Sequence, residues 1–311
     1  MNSSPLRAAA RRLAAGLVVL WAAATAAHLA LLVAPGDTVD TIVGDGADTP
    51  QIRAEIIAEW SLDRPAVVQY LDYLRRLAGG DLGRSYLLQR PVVEVIGEQL
   101  APTLTLALAA AGLGVLLALV LSVATAGDRR PWLRRASSGA ELLLVSTPPF
   151  LIGIVLLSVL SFRFGLFPVS GDRGVGALVL PAVTLALPIA GLLAQVLRDG
   201  LDRALDEPFV LTARARGVRE RTVLLRHALR HALLPAVTLA GWLFGILLGG
   251  AVIVEQVFGR PGLGQVTLTA VTSKDMPVVL AVVTLSAAVY VAVNTIADLT
   301  YLLVDPRLRR S

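Results

Sequence analysis

The sequence predicts an all-α integral membrane protein with six transmembrane helices, and three observations lead to this class. The 311-residue chain is 55% hydrophobic and 16% charged, with a mean hydropathy of +0.71, outside the usual balance of a soluble domain. Six apolar stretches are each long enough to cross about 30 Å of hydrocarbon, which takes roughly 20 helical residues. Arginines accumulate in alternate loops between these stretches.

The six spans are predicted from these apolar stretches. They lie at about residues 13–34, 102–126, 139–163, 176–197, 233–257 and 277–303. The first span follows the sequence RAAARR, and its apolar stretch is longer than the usual core of a cleaved signal. We therefore expect it to be an uncleaved anchor.

The distribution of arginine predicts the orientation. The arginines that set it lie before span one, between spans two and three, and after span six: Arg7, Arg11, Arg12, Arg129, Arg130, Arg134, Arg135, Arg307, Arg309 and Arg310. These positions fall on one side of the bilayer, which the positive-inside rule assigns to the cytoplasm. Both termini are therefore predicted to be cytoplasmic.

The predicted organisation has four parts. Residues 1–34 form the cytoplasmic N-terminus and first span, 35–97 an extracytoplasmic segment, 98–303 the transmembrane core with a cytoplasmic loop at 198–232, and 304–311 a cytoplasmic tail. The outer segment carries more acidic residues than arginines and shows helix signals. Thr49 is an expected N-cap before Pro50, and a second helix is expected between Asp63 and Gly79. We expect short amphipathic helices there.

Prolines and ionisable residues mark the spans. Pro148 and Pro149 interrupt span three, which favours either a moving kink or static packing. Glu141, Glu255 and Asp298 lie near span ends. Because ion-coupled carriers usually bind their ion near the bilayer midplane, this placement disfavours a proton- or sodium-coupled carrier.

Residues 211–235, LTARARGVRERTVLLRHALRHALLP, put six arginines between two apolar stretches. Pro208 stands where a helix can begin and Gly217 where it can end, and helical spacing resumes before Pro235. The segment is predicted to form a helix, a tight turn and a second helix. Ala213 and Ala215 would allow another surface to approach closely, which suits docking into a groove. The arginines are equally explained by the positive-inside rule and by contact with anionic lipid headgroups.

Several classes of site are absent from the sequence. The chain has no cysteine, and His28, His227 and His231 lack the H-E-x-x-H spacing of a zinc site. The only lysine, Lys274, is not part of a phosphate-binding loop. The arginines do not form a basic face with stacking aromatics, so nucleic acid is not an expected partner. No nucleophile and base or metal pair supports an intramembrane hydrolase.

Several short motifs follow one another along the chain: PGDTVD, GDLGRSY, FGLFPVSG, TARARG at 212–217, HALRHALLP at 227–235, VEQVFGRPGLG and DPRLRR. Through these motifs the chain resembles the permease subunits of bacterial ATP-binding-cassette importers, in the dipeptide, oligopeptide and nickel branch. Two departures from the family pattern stand out. Leu211, Thr212 and Ala213 replace the Glu-Ala-Ala of the wider superfamily, and His231 replaces an asparagine. His231 either touches a partner or fills the space of that asparagine.

The resemblance implies a type I importer permease fold in the bacterial cytoplasmic membrane. It implies coupling to an ATPase through Leu211, Thr212, Ala213, Arg214, Ala215, Arg216, Gly217 and Val218, with loop support from His227, Arg230 and Pro235. This chain is expected to be non-catalytic and to bind no cofactor or metal, with ATP and Mg²⁺ in the partner subunits. The implied partners are a second, distinct permease, one fused or two ATPase subunits and an extracytoplasmic binding protein. The implied cargo is di- or oligopeptides, with nickel or metal chelates or another small solute as alternatives.

Overall fold

The computed structural model describes residues 5–33, 37–43, 48–127, 131–171 and 174–304. Across these residues the secondary structure is helical, and the isolated β-bridge between Arg84 and Pro91 belongs to no strand. The predicted all-α class is therefore confirmed. Several arginines used for the orientation lie outside the described residues or have side chains that do: Arg7, Arg11, Arg12, Arg129, Arg130, Arg307, Arg309 and Arg310. So does the side chain of Asp298. The first two residues of the PGDTVD motif, which begins at Pro35, and the DPRLRR motif, which begins at Asp305, also lie outside the described residues.

The helices are numbered here in chain order. The first seven are α1 (Pro5–Val33), α2 (Thr38–Val43), α3 (Pro50–Trp60), α4 (Ala66–Ala78), α5 (Val92–Thr125), α6 (Pro131–Ser146) and α7 (Pro149–Leu156). A π-helical stretch, Leu157–Arg163, follows α7. The others are α8 (Val175–Leu205), α9 (Pro208–Ala215), α10 (Glu220–Thr222), α11 (Leu229–Val257), α12 (Leu263–Thr272) and α13 (Met276–Val304), with π-helical Val223–Ala228 joining α10 to α11.

Four of the described helices are long and apolar enough to cross a membrane individually. Their apolar ranges are Ala14–Val33, Val92–Thr125, Gly176–Leu205 and Met276–Ile296. The pair Pro131–Ser146 and Pro149–Arg163 meets the same criterion as one broken span, and Gly245–Val257 in α11 is a shorter apolar stretch. The described residues therefore provide four or five candidate spans, and the count of six stays a prediction.

The predicted interruption at Pro148 and Pro149 is a full break. Helix α6 ends at Ser146, α7 begins at Pro149, and the two segments meet at 106°. Pro148 has the extended backbone (φ −56°, ψ 135°) that a residue before proline prefers, so the helix cannot continue through it. By contrast, α8 continues through Pro181 and Pro188 without a break. A proline alone therefore does not determine where these helices stop.

The chain divides into two compact units. The first contains residues 1–101 and 262–291, and the second contains 102–261 and 292–311. In the first unit, Tyr73 of α4 is buried and its hydroxyl lies 2.9 Å from that of Thr284 in α13. The hydroxyl oxygen of Thr25 in α1 lies 2.5 Å from the hydroxyl oxygen of Tyr70 in α4. These contacts join α1, α4 and α13 within this unit.

The two short helices predicted in the 35–97 segment are present, but α4 alone of the two is amphipathic as expected, because the apolar residues of α3 are not gathered on one face. The Thr49 hydroxyl accepts a 3.3 Å hydrogen bond from the Ile52 amide, with Pro50 at the first helical position, so the predicted cap is confirmed. The second helix lies between Asp63 and Gly79 as predicted, although Pro65 and not Asp63 occupies the N-cap position.

Helix α8 is the centre of the second unit, where it packs against α6, α7 and α11. Two glycines permit close approaches by these neighbours. A Cβ atom on Gly200 would lie 3.0 Å from Cα and Cβ of Ala232 in α11, and one on Gly191 would lie 3.1 Å from the Glu141 carbonyl oxygen in α6. The backbones of α6 and α11 thus lie directly against α8, which leaves little space for them to move independently of it.

Candidate functional site

The candidate site is the arginine hairpin, defined as residues 208–235. Its first limb is α9, which begins at Pro208 as predicted, after the extended N-cap residue Glu207. Proline suits this position because its fixed φ is helical and the first amide of a helix needs no partner. The Thr212 hydroxyl donates a 3.1 Å hydrogen bond back to the Pro208 carbonyl.

The turn at the end of α9 is a Schellman motif centred on Gly217. The Val218 amide donates to the Ala213 carbonyl at 3.1 Å, and the Gly217 amide donates to the Arg214 carbonyl at 2.9 Å. Gly217 has φ +75°, the left-handed region that residues with a Cβ rarely adopt. A Cβ atom there would meet no atom within 4 Å. The turn therefore requires glycine for its backbone conformation and not for lack of space.

An ion pair joins the two limbs across this turn. Arg214 Nε lies 2.8 Å from Glu220 Oε1, and its Nη2 lies 3.5 Å from Oε2. Both side chains are partly exposed, at 43% and 41%. A surface pair of this kind contributes about 0–1 kcal/mol. The pair therefore stabilises the turn only slightly.

Two valines anchor the hairpin to the rest of the unit. Val210 of α9 and Val223 of the π-helical stretch are both fully buried, and these two elements pack against each other. Burying a valine side chain stabilises by about 1.5–3 kcal/mol, more than the exposed ion pair. Apolar packing holds α9 in place, and its charged side chains remain at the surface.

The predicted supporting residues lie on the second limb. His227 is half-buried in the π-helical stretch, and Arg230 Nε donates to His231 Nε2 at 3.2 Å. The His231 ring packs against Phe209 of α9, with ring centroids 4.9 Å apart. Pro235 is exposed and lies inside α11, so the helix continues through it. His231 thus contacts the first limb of its own hairpin.

The outer face of α9 is exposed and combines one apolar side chain with small and basic ones. Leu211 is 70% exposed. The other exposed residues here are Thr212, Arg214, Ala215, Arg216 and Gly217. Ala213 and Val218 are half-buried. This surface has one protruding apolar side chain, small side chains around it and positive charge beside it. A surface of this shape is suited to insertion into a groove on another protein.

A buried polar cluster lies one helix before the hairpin, and its centre, Arg198, was not among the predicted functional residues. Arg198 is 4% exposed and forms an ion pair with Glu141 of α6. Its Nε donates to Thr125 Oγ1 of α5 at 2.8 Å, Nη1 to Ser138 Oγ at 2.9 Å and Nη2 to Ser137 Oγ at 3.1 Å. We call these five residues the Arg198 cluster. It joins α5, α6 and α8.

A second contact set one turn further along α8 joins the same elements. Asp202 accepts a 2.9 Å hydrogen bond from the Gly127 amide just after α5, and lies 2.8 Å from Arg134 Nη2 of α6. The sequence predicts that span four ends at residue 197, which places Arg198 and Asp202 in the following loop. In the structure both residues lie within α8. The available signal was that apolar residues continue at helical spacing through Leu201 and Ala204, both buried.

Among the residues that the structure describes, no group of three or more His, Asp or Glu side chains is placed to hold a metal ion.

Comparison with known proteins gives consistent matches. Residues 110–310, which include the hairpin, match the family model described as "Binding-protein-dependent transport system inner membrane component". The chain is 36% identical over 307 residues to a Brucella abortus protein named for a peptide transport system permease, covering 96% of this chain and 98% of the relative. It is 34% identical over 299 residues to the glutathione transport system permease protein GsiC of Salmonella typhimurium, covering 96% and 97%.

Two solved structures share the fold at low sequence identity. One is the methionine ABC transporter MetNI in an inward-facing conformation, with TM-score 0.55, 18% identity, and coverage of 68% of this chain and 96% of that chain. The other is an amino acid ABC transporter with histidines, with TM-score 0.53, 18% identity, and coverage of 67% and 94%.

Proposed function

This chain belongs to the binding-protein-dependent transport system inner membrane components, the permeases of ABC importers, and we propose that it carries peptides into the cell. The observation that supports the mechanism is the arginine hairpin, whose exposed α9 face is held on a buried apolar anchor. Such an element can receive a force from another protein and pass it to the helices behind it.

In this proposal the hairpin is the coupling element, with Leu211–Val218 entering a groove on an ATPase subunit. Leu211 provides the apolar contact, and the small side chains of Ala213 and Ala215 allow the groove walls to come close. Arg216 supplies a charge that no described residue neutralises, so it is available to a carboxylate in the groove. Arg214 is paired with Glu220 across the turn, which the backbone of Gly217 determines.

Three sets of contacts carry the motion of α9 into the helices. Val210 packs with the π-helical stretch before α11, so α9 and α11 move together. Gly200 against Ala232 then links α11 to α8. The Arg198 cluster extends this link from α8 to α5 and α6. A displacement of the hairpin therefore moves several helices as one body.

The free energy for this motion comes from ATP in partner subunits. ATP drives the cycle only if it binds one state of the complex more tightly than the other, because equal affinity shifts no population. The complete importer then comprises this chain with six spans and cytoplasmic termini, a second and distinct permease, and one fused or two ATPase subunits that hold ATP and Mg²⁺. An extracytoplasmic binding protein delivers the cargo. The complex lies in the bacterial cytoplasmic membrane.

The names of the relatives support a peptide cargo. One is named for peptide transport and the other for glutathione, itself a tripeptide. Chelated metal ions and other small solutes are the alternative cargoes for this importer type, and an ion-coupled carrier that needs no ATP is the remote alternative.

Reconstitution tests the proposal directly. The permease would be purified with the second permease and ATPase encoded beside it, placed in liposomes, and supplied with the binding protein and ATP. We expect ATP-dependent uptake of labelled di- or tripeptides and no uptake without ATP. Uptake of a nickel chelate in place of peptide would reassign the cargo. Uptake of solute by this chain alone, driven by an ion gradient, would overturn the proposal.

A charge-reversal variant tests the coupling element in the same assay. Arg214→Glu together with Arg216→Glu should reduce ATP-dependent uptake at least tenfold while the chain still inserts at normal yield. The control is Arg90→Glu, an exposed arginine of the 35–97 segment far along the chain from the hairpin, whose ion pairs with Glu94 and Glu98 lie at the surface. Full uptake by the hairpin variant would contradict its role in coupling.

A further inference from the structure

The first unit contains a polar cavity of about 620 Å³, within the ~300–1,000 Å³ range of small-molecule sites. Its walls come from α1, from the end of α3, from α4, from residues 81–86 and from the start of α13. The residues on which the argument depends are His28, Glu59, Trp60, Arg75, Arg76 and Tyr86. None of them belongs to the arginine hairpin or to the Arg198 cluster.

The cavity has positive charge that the described residues do not neutralise through ion pairs. Of its four arginines, Arg64 forms a 3.0 Å ion pair with Asp72, and Arg84 donates to the Gln89 carbonyl at 2.8 Å. Arg75 and Arg76 form no ion pair with any residue that the structure describes. Their place in the last turn of α4 is favourable for the helix dipole, but their guanidinium groups keep their full donor capacity for a carboxylate.

A carboxylate of opposite charge also lines the cavity without a described ion-pair partner. This carboxylate is Glu59, in the last turn of α3. Another carboxylate of the cavity, Asp81, accepts a hydrogen bond from the Gly83 amide at 2.8 Å. The cavity therefore offers two free guanidinium groups and one free carboxylate. A ligand that carries both signs of charge matches this set better than a simple anion.

His28 adds a buried polar side chain to the cavity wall. It is 3% exposed, lines the cavity, and packs on Tyr70 with ring centroids 5.2 Å apart. Neither ring nitrogen hydrogen-bonds to a described residue, although the ring lies beside the backbone of Ala66. Because nearly all buried polar side-chain groups have a partner, this imidazole is a polar part of the cavity wall whose hydrogen-bonding capacity the described residues do not fully satisfy.

Trp60 and Tyr86 form an aromatic wall of the cavity, and ring packing together with hydrogen bonds holds it in place. Trp60 and Tyr86 pack edge to face with centroids 4.7 Å apart. Buried Asp275 fixes the loop that carries Tyr86: it accepts a hydrogen bond from the Ser85 hydroxyl, one from the Tyr86 amide at 3.1 Å and one from the Leu87 amide at 3.2 Å. Burial raises the pKa of the Tyr86 hydroxyl. The positive charge of Arg76 lowers this pKa and the carboxylate of Asp275 raises it, but burial has the largest effect. The Tyr86 ring therefore presents a neutral, preorganised surface.

We propose that this cavity binds a short peptide with free termini. The terminal carboxylate pairs with Arg75 and Arg76, the terminal ammonium pairs with Glu59, and Trp60 with Tyr86 contacts the side chains. The inference rests on the proposed peptide cargo, and it adds a second peptide site, in the permease itself, to the one expected in the binding protein. Planar guanidinium groups favour carboxylate through paired hydrogen bonds.

Calorimetry tests this site on the purified permease and ATPase complex in lipid nanodiscs, without the binding protein. The probe is trialanine, with trialanine amide and N-acetyl-trialanine as matched ligands that each lack one terminal charge. We expect trialanine to bind and each blocked peptide to bind at least tenfold more weakly. Arg75→Gln with Arg76→Gln should remove the preference for the free carboxylate, and Glu59→Gln the preference for the free ammonium.

The control variant is Arg90→Gln, an exposed arginine of the same segment that does not line the cavity, which should bind trialanine like the unaltered complex. Absence of trialanine binding, or binding that the Arg75 and Arg76 changes leave unaltered, overturns the site even when ATP-driven peptide uptake is intact. Terminal-dependent binding together with uptake of a different cargo supports the site and overturns the proposed transport function, so the two failures are distinguishable.

Discussion

Arg198 on α8 and Arg214 on the following helix α9 carry the same guanidinium group in opposite surroundings. Arg198 is buried and bonded to side chains of α5 and α6, whereas Arg214 is exposed and paired with Glu220 across a turn of its own hairpin. The buried arginine holds together helices that are distant in sequence. The exposed one adds little to a turn that the backbone of Gly217 already determines. The Arg198 cluster thus contributes to the stability of the unit, whereas the hairpin presents Arg216 at the surface, where no described residue forms an ion pair with it.

The largest effect should come from breaking the Arg198 cluster. Arg198→Met leaves the buried Glu141 without its ion-pair partner, which destabilises by about 3–5 kcal/mol. We expect a clear drop in the thermal unfolding midpoint of the detergent-purified protein and reduced yield. The double change Arg198→Met with Glu141→Met should recover most of the loss, because Glu141 Oε2 already lacks a partner among the described residues. A single variant as stable as the parent would show that the cluster is not what joins these helices.

An intermediate effect is expected at the turn itself. Gly217→Val forces a β-branched residue to φ +75°, a backbone strain of about 1–2 kcal/mol, so the turn should rearrange and ATP-driven uptake should fall. Gly217→Asn should keep most uptake, since asparagine tolerates this conformation. Gly165, with φ +62° and equally open space, supplies the matched control, and Gly165→Val should carry the same strain without uncoupling. Equal uptake by the Val and Asn variants of Gly217 would mean that turn geometry does not matter.

The smallest effect on stability should come from the exposed pair. Arg214→Gln removes the contact with Glu220 and is expected to change the free energy of unfolding by about 0–1 kcal/mol. The thermal unfolding midpoint of Arg214→Gln should therefore be almost the same as that of the unaltered protein. Glu220→Gln, which removes the other partner of the pair, should have an equally small effect. A loss as large as that of Arg198→Met would remove the contrast between the two arginines.

Local chemistry made the hairpin predictable from sequence. Pro208 and Gly217 set the start and end of α9 through backbone rules that need no distant partner, and Thr49 did the same for α3. The role of His231 required the structure, because Phe209, its ring partner, lies on the opposite limb. A sequence pattern can place a turn, but it does not state which side chains meet across it.

The Arg198 cluster was missed because its contacts span a long stretch of chain. Thr125 and Glu141 come from two other helices, so no local window contains the pair. The break in span three shows a related limit. Pro148 and Pro149 indicated an interruption, yet the 106° angle depends on how each half packs, while Pro181 and Pro188 leave α8 uninterrupted.

The π-helical stretch at Val223–Ala228 has a consequence for insertions and deletions. A π-helix widens each turn to hold an extra residue, often as a bulge within an otherwise regular helix. Removing one residue here would let the backbone return to α-helical spacing and would leave the hairpin in nearly its present orientation relative to α11, because the wide turn already holds one residue more than an α-helical turn. Removing a residue from the regular part of α11 would instead turn the hairpin by about 100° around the helix axis. This short stretch therefore absorbs a change of one residue in length that the regular helix would convert into a rotation.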